Sequence, residues 1–248
     1  WARSLDLHLD AYPRFGVGAD LAGNIVVNAA FRETVDIGGT LLTAKHDGYY
    51  LDVLVAKLDP QGDTVFARQQ SVVGASDVPW TVGSFRVSPS GGFVMSGEFA
   101  GDLDVGGPEP LHSDIAGPLP TGSYVAVYDS DGALVWQRAY TGGFAPTVGI
   151  SATGEVVASG PLQADTDFGG GVLEVNGDTA RRFLARWDAA GNHLRSRAFH
   201  GGGLSFGAFA VHDDGTTSFA GDYLLDGDLA SLGGPTYGDK VLGNVLFR

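Results

Sequence analysis

The chain lacks cysteine and is poor in positive charge, and both shortages narrow the classes of protein it can belong to. Without cysteine, disulfide bonds, thiolate metal sites and thiol catalysis are excluded. Only 15 Lys and Arg residues stand against 29 Asp and Glu, which gives a net charge of −14. Nucleic-acid phosphates require clusters of Lys and Arg, so this balance argues against such a partner. An acidic surface suits solubility, cation binding or a basic partner.

Long hydrophobic runs are also missing. No apolar run approaches the roughly 18 residues that a membrane helix needs, so we expect no membrane insertion. No signal peptide is recognisable and the chain starts at Trp1, which indicates a mature or trimmed product. What the chain does have is 248 residues, 44% of them hydrophobic, and 39 glycines without a collagen period. This composition favours one turn-rich β domain with a sizeable core.

Three kinds of glycine turn recur in the same order along the chain. An Asp-x-x-Gly turn occurs three times, at Asp59–Gly62, Asp129–Gly132 and Asp188–Gly191. A Gly-Gly pair, following an Asp, begins at Gly38, Gly106, Gly169 and, more loosely, Gly233. A single tight-turn glycine recurs at Gly23, Gly91, Gly154 and Gly215. The second and third kinds repeat at intervals of 61 to 68 residues, and together the three predict four units.

Each unit is predicted to hold four short strands. In the first unit they are Gly16–Ala19, Ile25–Phe31, Leu51–Leu58 and Asp63–Gln69. They are rich in β-branched and aromatic residues and are bounded by Gly, Asp and Pro. The second and third strands are apolar on both faces, as expected of a sheet covered on both sides. Serial four-stranded antiparallel units of this kind predict an all-β fold, a four-bladed β-propeller.

The fourth unit is split between the two ends of the chain. In each complete unit, the residue two positions before the turn Asp and one fixed position in the last strand are nine residues apart. The pairs are Lys57 and Phe66, Val127 and Trp136, and Arg186 and Arg195. Arg248 aligns with Lys57, and Trp1 aligns with Phe66. We therefore expect the N-terminal strand to pair with the C-terminal strand and close the ring. The alternative is an excerpt from a longer propeller with further blades in tandem.

This architecture predicts one domain over residues 1–248. The blades are expected at about 15–70, 82–140 and 146–199, with the fourth at about 206–248 completed by 1–6.

The repeat also resembles a known family. Gly23-Asn24, the apolar strand ending at Phe31, Asp36-Ile37-Gly38-Gly39 and Val55-Ala56-Lys57-Leu58-Asp59 follow one another in the first unit. This order resembles the bacterial β-propeller repeat (SBBP) family, which is abundant in secreted and surface proteins of myxobacteria and their relatives. The resemblance covers all four units and is clearest from Gly23 to Phe66 and from Gly91 to Trp136. It implies an extracytoplasmic, usually non-catalytic propeller and carries over no catalytic residues.

Long connections between the second and third strands are candidate functional loops, since long structureless loops in compact domains are often functional. They span Arg32–Tyr50, Ala100–Ser123, Leu162–Arg181 and Tyr223–Gly243. Each begins with acidic residues: Asp36, Asp102, Asp104, Asp165, Asp167, Asp226 and Asp228. Paired carboxylates could supply oxygen ligands to Ca²⁺, although no EF-hand loop is present. The competing interpretation is that these residues form turns by accepting hydrogen bonds from backbone N–H groups.

Aromatic residues recur in the connections between units, at Tyr12, Trp80, Phe144 and Phe206. Exposed at a common rim, they could stack on sugar rings or anchor a peptide. Alternatively, they plug the central channel or pack between blades.

Motifs for catalysis are scarce. The six histidines share no unit position and show no zinc-binding spacing. There is no G-x-S-x-G nucleophile elbow. Single Asp and Glu residues leave a glycoside hydrolase or lyase open, although no pair is singled out. The sequence thus favours a non-enzymatic binding or scaffold propeller outside the cytoplasm, with a protein or glycan partner and no cofactor; Ca²⁺ is the one cofactor left open. A propeller enzyme and a structural bead in a larger surface assembly are the alternatives.

Overall fold

The computed structural model describes residues 15–45, 52–73, 82–113, 122–141, 145–175, 182–199, 205–212, 216–223 and 243–247, and positions 2, 4 and 7. Over these residues every regular element is a β-strand. None of the described segments forms a helix long and apolar enough to cross a membrane.

The strands follow the predicted repeat, with an additional hairpin in each of the first three units. The first unit contains β1 Phe15–Ala19, β2 Ile25–Phe31, β3 Thr34–Ile37, β4 Thr40–Thr43, β5 Asp52–Leu58 and β6 Thr64–Val73. The second contains β7 Ser84–Val87, β8 Phe93–Phe99, β9 Gly101–Asp104, β10 Leu111–Ser113, β11 Gly122–Tyr128 and β12 Leu134–Thr141. The third contains β13 Thr147–Ile150, β14 Val156–Pro161, β15 Thr166–Asp167, β16 Val172–Leu173, β17 Arg182–Trp187 and β18 His193–Phe199. The fourth contains β19 Ser205–Val211, β20 Thr217–Tyr223 and β21 Gly243–Phe247.

Each unit is an antiparallel sheet in which the strands lie side by side in chain order, apart from the hairpin strands. The orders are β1-β2-β5-β6, β7-β8-β11-β12, β13-β14-β17-β18 and β19-β20-β21. The first strands of successive units pack against one another, β1 on β7, β7 on β13 and β13 on β19. Among the four strands of its own unit, the last strand of each of the first three units lies at the opposite edge. The fold is therefore all-β and propeller-like.

The middle strands carry the core, as their two-sided apolar pattern predicts. Every residue of β5 and of β11 is buried. One apolar cluster fills the space between the first and second units, including Val55, Phe93 and Tyr124. A second cluster fills the space between the second and third units, including Val94, Val148 and Trp187. Each cluster draws side chains from two adjacent sheets, so the units are joined through a continuous core.

The long connections are not structureless, which corrects the expectation from sequence. Within their described parts, they form the hairpins β3–β4, β9–β10 and β15–β16. The burial of β3 alternates strictly, with Val35 and Ile37 inside and Thr34 and Asp36 outside. Alternation with a period of two is typical of a strand, but four residues are too few for the pattern to be recognised in the sequence.

The outer strand of the first unit is also longer than expected. It was predicted to end at Gln69, but β6 continues to Val73. The added residues pair with the hairpin of the next unit, Ser71 opposite Asp104 and Val73 opposite Asp102. The hairpin of the second unit therefore extends the sheet of the first, which becomes six-stranded.

The face of β1 that points away from the second unit is exposed. Val17 is 64% exposed, whereas the residues at its position in the second and third units, Phe85 and Val148, are 7% and 0% exposed. Phe15 on the same face is exposed as well. The predicted ring-closing strands contain Trp1 and Arg248, which lie outside the described residues.

Candidate functional site

The three hairpins lie at one end of their units, where the second strand passes into the third, and they carry most of the described acidic candidates. We call β3–β4, β9–β10 and β15–β16 together the hairpin rim. Its exposed side chains include Leu41 and Val172, which occupy the same position two residues after the Gly-Gly pair.

In each hairpin, the Asp before the Gly-Gly pair forms the turn. Asp36 Oδ1 accepts a hydrogen bond from Gly39 N at 2.7 Å, and Asp104 Oδ1 accepts one from Gly106 N at 2.9 Å. Asp167 Oδ1 accepts two, from Gly169 N at 2.7 Å and Gly171 N at 3.0 Å. These N–H groups hold the pKa of Asp167 below its usual value. The three carboxylates are thus acceptors within their turns, and the turn stabilises the ionised form of Asp167.

The other members of the acidic pairs have separate partners. Asp102 lies 2.6 Å from His112 Nδ1 across the second hairpin. Asp165 Oδ1 accepts a hydrogen bond from Val175 N at 2.8 Å. In the described part of the chain, no three His, Asp or Glu side chains come together as a metal-ion site. Asp226 and Asp228 lie outside the described residues, so a calcium site at the acidic pairs stays a prediction.

Two further sets of candidates are described only in part. Of the aromatic set, Tyr12, Trp80 and Phe144 lie outside the described residues, and only the backbone of Phe206 is described, in β19. The common aromatic rim therefore stays a prediction. The described histidines are dispersed. His112 is on the second hairpin, His193 is in β18, and His212 Nε2 lies 2.7 Å from Ser218 Oγ in the fourth unit.

Sequence reasoning missed the contacts by which each outer strand receives the next unit. Phe66 of β6 packs over Gly132 in the Asp-x-x-Gly turn of the second unit, so closely that a Cβ there would lie 2.7 Å from the ring. Trp136 of β12 packs in the same way over Gly191, where a Cβ would lie 2.8 Å from the indole. Both glycines have positive φ, +73° and +83°, so the turn and the ring require glycine independently.

An arginine two residues along strengthens each of these contacts. Arg68 Nη2 donates to the carbonyl of Asp131 at 3.2 Å, and Arg138 Nη2 donates to that of Gly191 at 2.7 Å. The outer strand of each of these two units thus binds the next turn through an aromatic ring and a guanidinium. The sequence signal was available: an aromatic-x-Arg triplet stands at one repeat position in both units.

We call the interface between the first and second units the first joint, and the interface between the second and third units the second joint. The first joint also contains a buried ion pair. Lys57 Nζ lies 3.2 Å from Asp20 Oδ2, and both side chains are almost fully buried. Lys57 also donates to the carbonyl of Ser130 in the second unit at 3.1 Å. Burial acts to raise the pKa of Asp20, but hydrogen bonds from Asn24 and the charge of Lys57 outweigh it and leave the pKa lowered.

An aromatic donor at the end of the third strand secures the hairpins of the second and third units. Tyr128 Oη donates to the carbonyl of Val105 at 2.8 Å, and Trp187 Nε1 donates to that of Phe168 at 3.1 Å. Tyr128 and Trp187 share a repeat position, as do the two carbonyl groups, each just before the Gly-Gly pair. The second and third hairpins of the rim are therefore fixed to their sheets by buried hydrogen bonds.

Comparison with known proteins identifies no family. No protein-family model matches the chain, and no curated protein matches it either. Among solved structures, it is similar to an ulvan lyase from a new polysaccharide lyase family, with 10% identity and a TM-score of 0.38 over 84% of this chain and 48% of that one. It is also similar to two variants of the Synechocystis apocarotenoid oxygenase, at 11% and 12% identity, with TM-scores of 0.37 and 0.36 over 96% of this chain and 56% of each. The chain spans about half the length of these solved structures.

Proposed function

We propose that this chain is a non-enzymatic binding or scaffold propeller that acts outside the cytoplasm and presents its hairpin rim and adjoining loops to a protein or glycan. The observation that carries the proposal is the division of labour at the rim. The acidic candidates described there each have a hydrogen-bond or ion-pair partner, whereas the aliphatic side chains of Leu41 and Val172 are exposed. Because hydrogen bonds already fix these turns, binding through them would cost little ordering of the backbone.

The state of the Asp167 carboxylate favours binding over catalysis at its hairpin. A glycosidase acid must stay protonated near neutral pH, which requires a raised pKa. Asp167 has the opposite perturbation, because backbone N–H groups stabilise its ionised form. Such a group is a fixed acceptor within a turn and a poor proton donor.

Charge and the repeat resemblance define the class of partner and the location. A net charge of −14 is unfavourable for nucleic acid and compatible with a neutral glycan or a protein. The extracytoplasmic location follows from the resemblance to secreted and surface propeller repeats. Calcium at the acidic pairs would be tested by titrating Ca²⁺ into chelator-treated protein and measuring heat and thermal shift.

The test of this function is a glycan array probed with the purified chain, together with pull-down from an extracellular fraction. Leu41→Ser with Val172→Ser should abolish the binding that the unmodified chain shows. The matched control is Val65→Ser with Val135→Ser, which removes two exposed aliphatic side chains from the outer strands, away from the rim. Cleavage of a bound polysaccharide by the chain would contradict the proposal and favour a lyase or hydrolase.

We also propose that the four units close into a four-bladed ring, in which residues 1–6 supply the outer strand of the fourth blade. The exposed face of β1 supports closure, because units two and three bury the equivalent residues against the unit before them. The triplet Trp1-Ala2-Arg3 repeats the aromatic-x-Arg pattern of Phe66 and Arg68, and of Trp136 and Arg138. The Asp59–Gly62 turn, with Gly62 at φ +89°, is the matching receptor on the first unit.

A contact of Leu7 gives independent support. Its carbonyl accepts a hydrogen bond from Arg32 N at 3.1 Å, and its side chain packs on the cluster that contains Phe31 and Val35. In the second unit, the neighbouring outer strand β6 runs along the equivalent side of the hairpin. Deleting residues 1–6 should therefore lower the melting temperature sharply, and an unchanged value would contradict this placement.

A further inference from the structure

The joint between the second and third units departs from the repeat at one place. The difference concerns two repeat positions, which in the first joint are occupied by Val53 and Leu103, both buried and apolar. In the second joint, the same repeat positions hold Ser123 and Thr166, also buried. Two aliphatic side chains are thus replaced by two hydroxyls in an interface that is otherwise mostly apolar, next to the rings of Tyr140, Phe168 and Phe183.

A small cavity lies beside these hydroxyls. Its volume is about 10 Å³, and its lining includes Ser123, Tyr140, Thr166, Phe168 and Phe183. Thr141 and Gln163 contribute to the lining and are exposed, so they form a polar mouth. A polar cavity of about this size holds one water molecule, which needs two to four hydrogen-bonding partners.

Tyr140 supplies a donor without a partner. Its Oη is buried and has no hydrogen-bond partner among the described residues. At the same repeat position in the first joint, Gln70 Nε2 donates to Tyr128 Oη, so the donor there has a partner. Burial raises the pKa of Tyr140 well above its ordinary value, and the phenol therefore keeps its proton. A buried hydroxyl without a hydrogen-bond partner is destabilising, so a ligand that accepts this hydrogen bond is favoured.

We propose that this cavity is a binding site for one neutral hydroxyl group, which accepts a hydrogen bond from Tyr140 Oη and donates to the hydroxyl oxygen of Ser123 or Thr166. Thr166 Oγ1 donates to the carbonyl of Ala164 at 2.8 Å, so its hydroxyl proton is already used and its oxygen can act only as an acceptor for the ligand. Solvent water can supply this hydroxyl in the free protein. A saccharide can supply it as well, and that source alone rests on the proposed glycan partner.

The test is a high-resolution crystal structure of the chain, grown without polyols, beside Tyr140→Phe. The unmodified chain should show one density peak within about 2.7–3.2 Å of Tyr140 Oη, and Tyr140→Phe should lose it. Val135→Ser, an exposed change on the same strand, is the matched control and should keep the peak. No peak in the unmodified chain, or an unchanged peak in Tyr140→Phe, would overturn the proposal.

Two further arms separate the sources and guard against a misfolded variant. Soaking crystals in glucose should either leave the water in place or replace it by a sugar hydroxyl at the same position, and both results support a hydroxyl site. The triple variant Ser123→Val, Thr166→Leu and Tyr140→Phe copies the apolar filling of the first joint. It should fold, show no peak and bind no sugar hydroxyl there, and a retained peak would contradict the assignment.

Discussion

The joint between the first and second units and the joint between the second and third units share one plan but differ in their fillings. In both, an aromatic side chain and an arginine of the outer strand hold the next Asp-x-x-Gly turn. The first joint adds the buried Lys57–Asp20 pair, and the second adds tilted and edge-on rings around Trp187 and a hydroxyl-lined cavity. The repeat therefore conserves how units meet, while individual positions decide what each joint can do. The first unit has the same kind of turn, Asp59–Gly62, with Gly62 at φ +89°.

The largest effect should come from breaking the ion pair of the first joint. Lys57→Ala leaves the Asp20 carboxylate buried without its cation, and such losses cost about 3–5 kcal/mol of unfolding free energy. Urea denaturation measures it. The double variant Lys57→Met with Asp20→Asn should recover most of the loss, because no buried charge is left.

Arg186→Ala, which breaks the more exposed Arg186–Glu155 pair, should cost clearly less, about 1 kcal/mol. Equal costs at the two sites would show that burial does not distinguish them.

A matched pair of valines compares the buried and exposed faces of the first strands. Val148→Ala removes two methyl groups from the core of the second joint and should cost about 2–3 kcal/mol. Val17 occupies the same repeat position on the exposed face of β1. In a closed ring the fourth unit covers it, so Val17→Ala should cost nearly as much in urea denaturation. A cost below about 0.5 kcal/mol, typical of surface positions, would mean that the face remains open.

The contact between turn and ring predicts a smaller loss. Gly132→Ala places a Cβ 2.7 Å from the Phe66 ring and also strains a residue at φ +73°, so we expect about 2 kcal/mol. Gly39→Ala is the matched control, because Gly39 has φ +89° but no atom within 4 Å of the added Cβ. It should cost only the backbone term, about 1 kcal/mol. If thermal or urea unfolding gave both variants the same loss, the packing of Phe66 on the turn would not contribute.

The smallest effect concerns acid pH. The pKa of Asp188 is lowered, mainly by the hydrogen bond from the Asn192 side chain. The pKa of Asp167 is lowered, mainly by the hydrogen bond from Gly169 N. Further backbone N–H groups lower the pKa of both carboxyl groups. A group with a lowered folded pKa contributes stability that is complete above its unfolded value, near 3.8, and that is lost as the pH falls through the folded value. Thermal stability should therefore decline below about pH 4. Asp188→Asn should flatten that decline, and an identical pH profile would contradict the assignment.

The repeat made the four-stranded sheets predictable from sequence, because glycine turns bound short runs of residues that favour strands. The bounds of β2, for example, were predicted at Ile25–Phe31, as found. The hairpins were missed because strands such as Thr166–Asp167 are too short for a period of two to stand out from a Gly-rich loop. Lys57 was read as part of an apolar strand, since its partner Asp20 lies 37 positions away and only the fold brings them together. The Tyr140 site was equally hidden, because it depends on what two adjacent units leave unfilled.

Ring closure is tested most directly by an engineered disulfide between β1 and β19. In the first joint, a Cβ on Gly16 would lie 3.1 Å from Phe85 Cβ, close to the separation in a disulfide. The equivalent pair across the proposed closure is Ala208 with Val17, and the chain has no cysteine that could interfere. The double variant Val17→Cys with Ala208→Cys should form an intramolecular bond on oxidation, seen as a faster monomer band without reductant and as the loss of titratable thiols. Val65→Cys with Ala208→Cys is the control and should keep both thiols. Two free thiols in the first variant, or disulfide-linked dimers, would contradict a closed four-bladed ring.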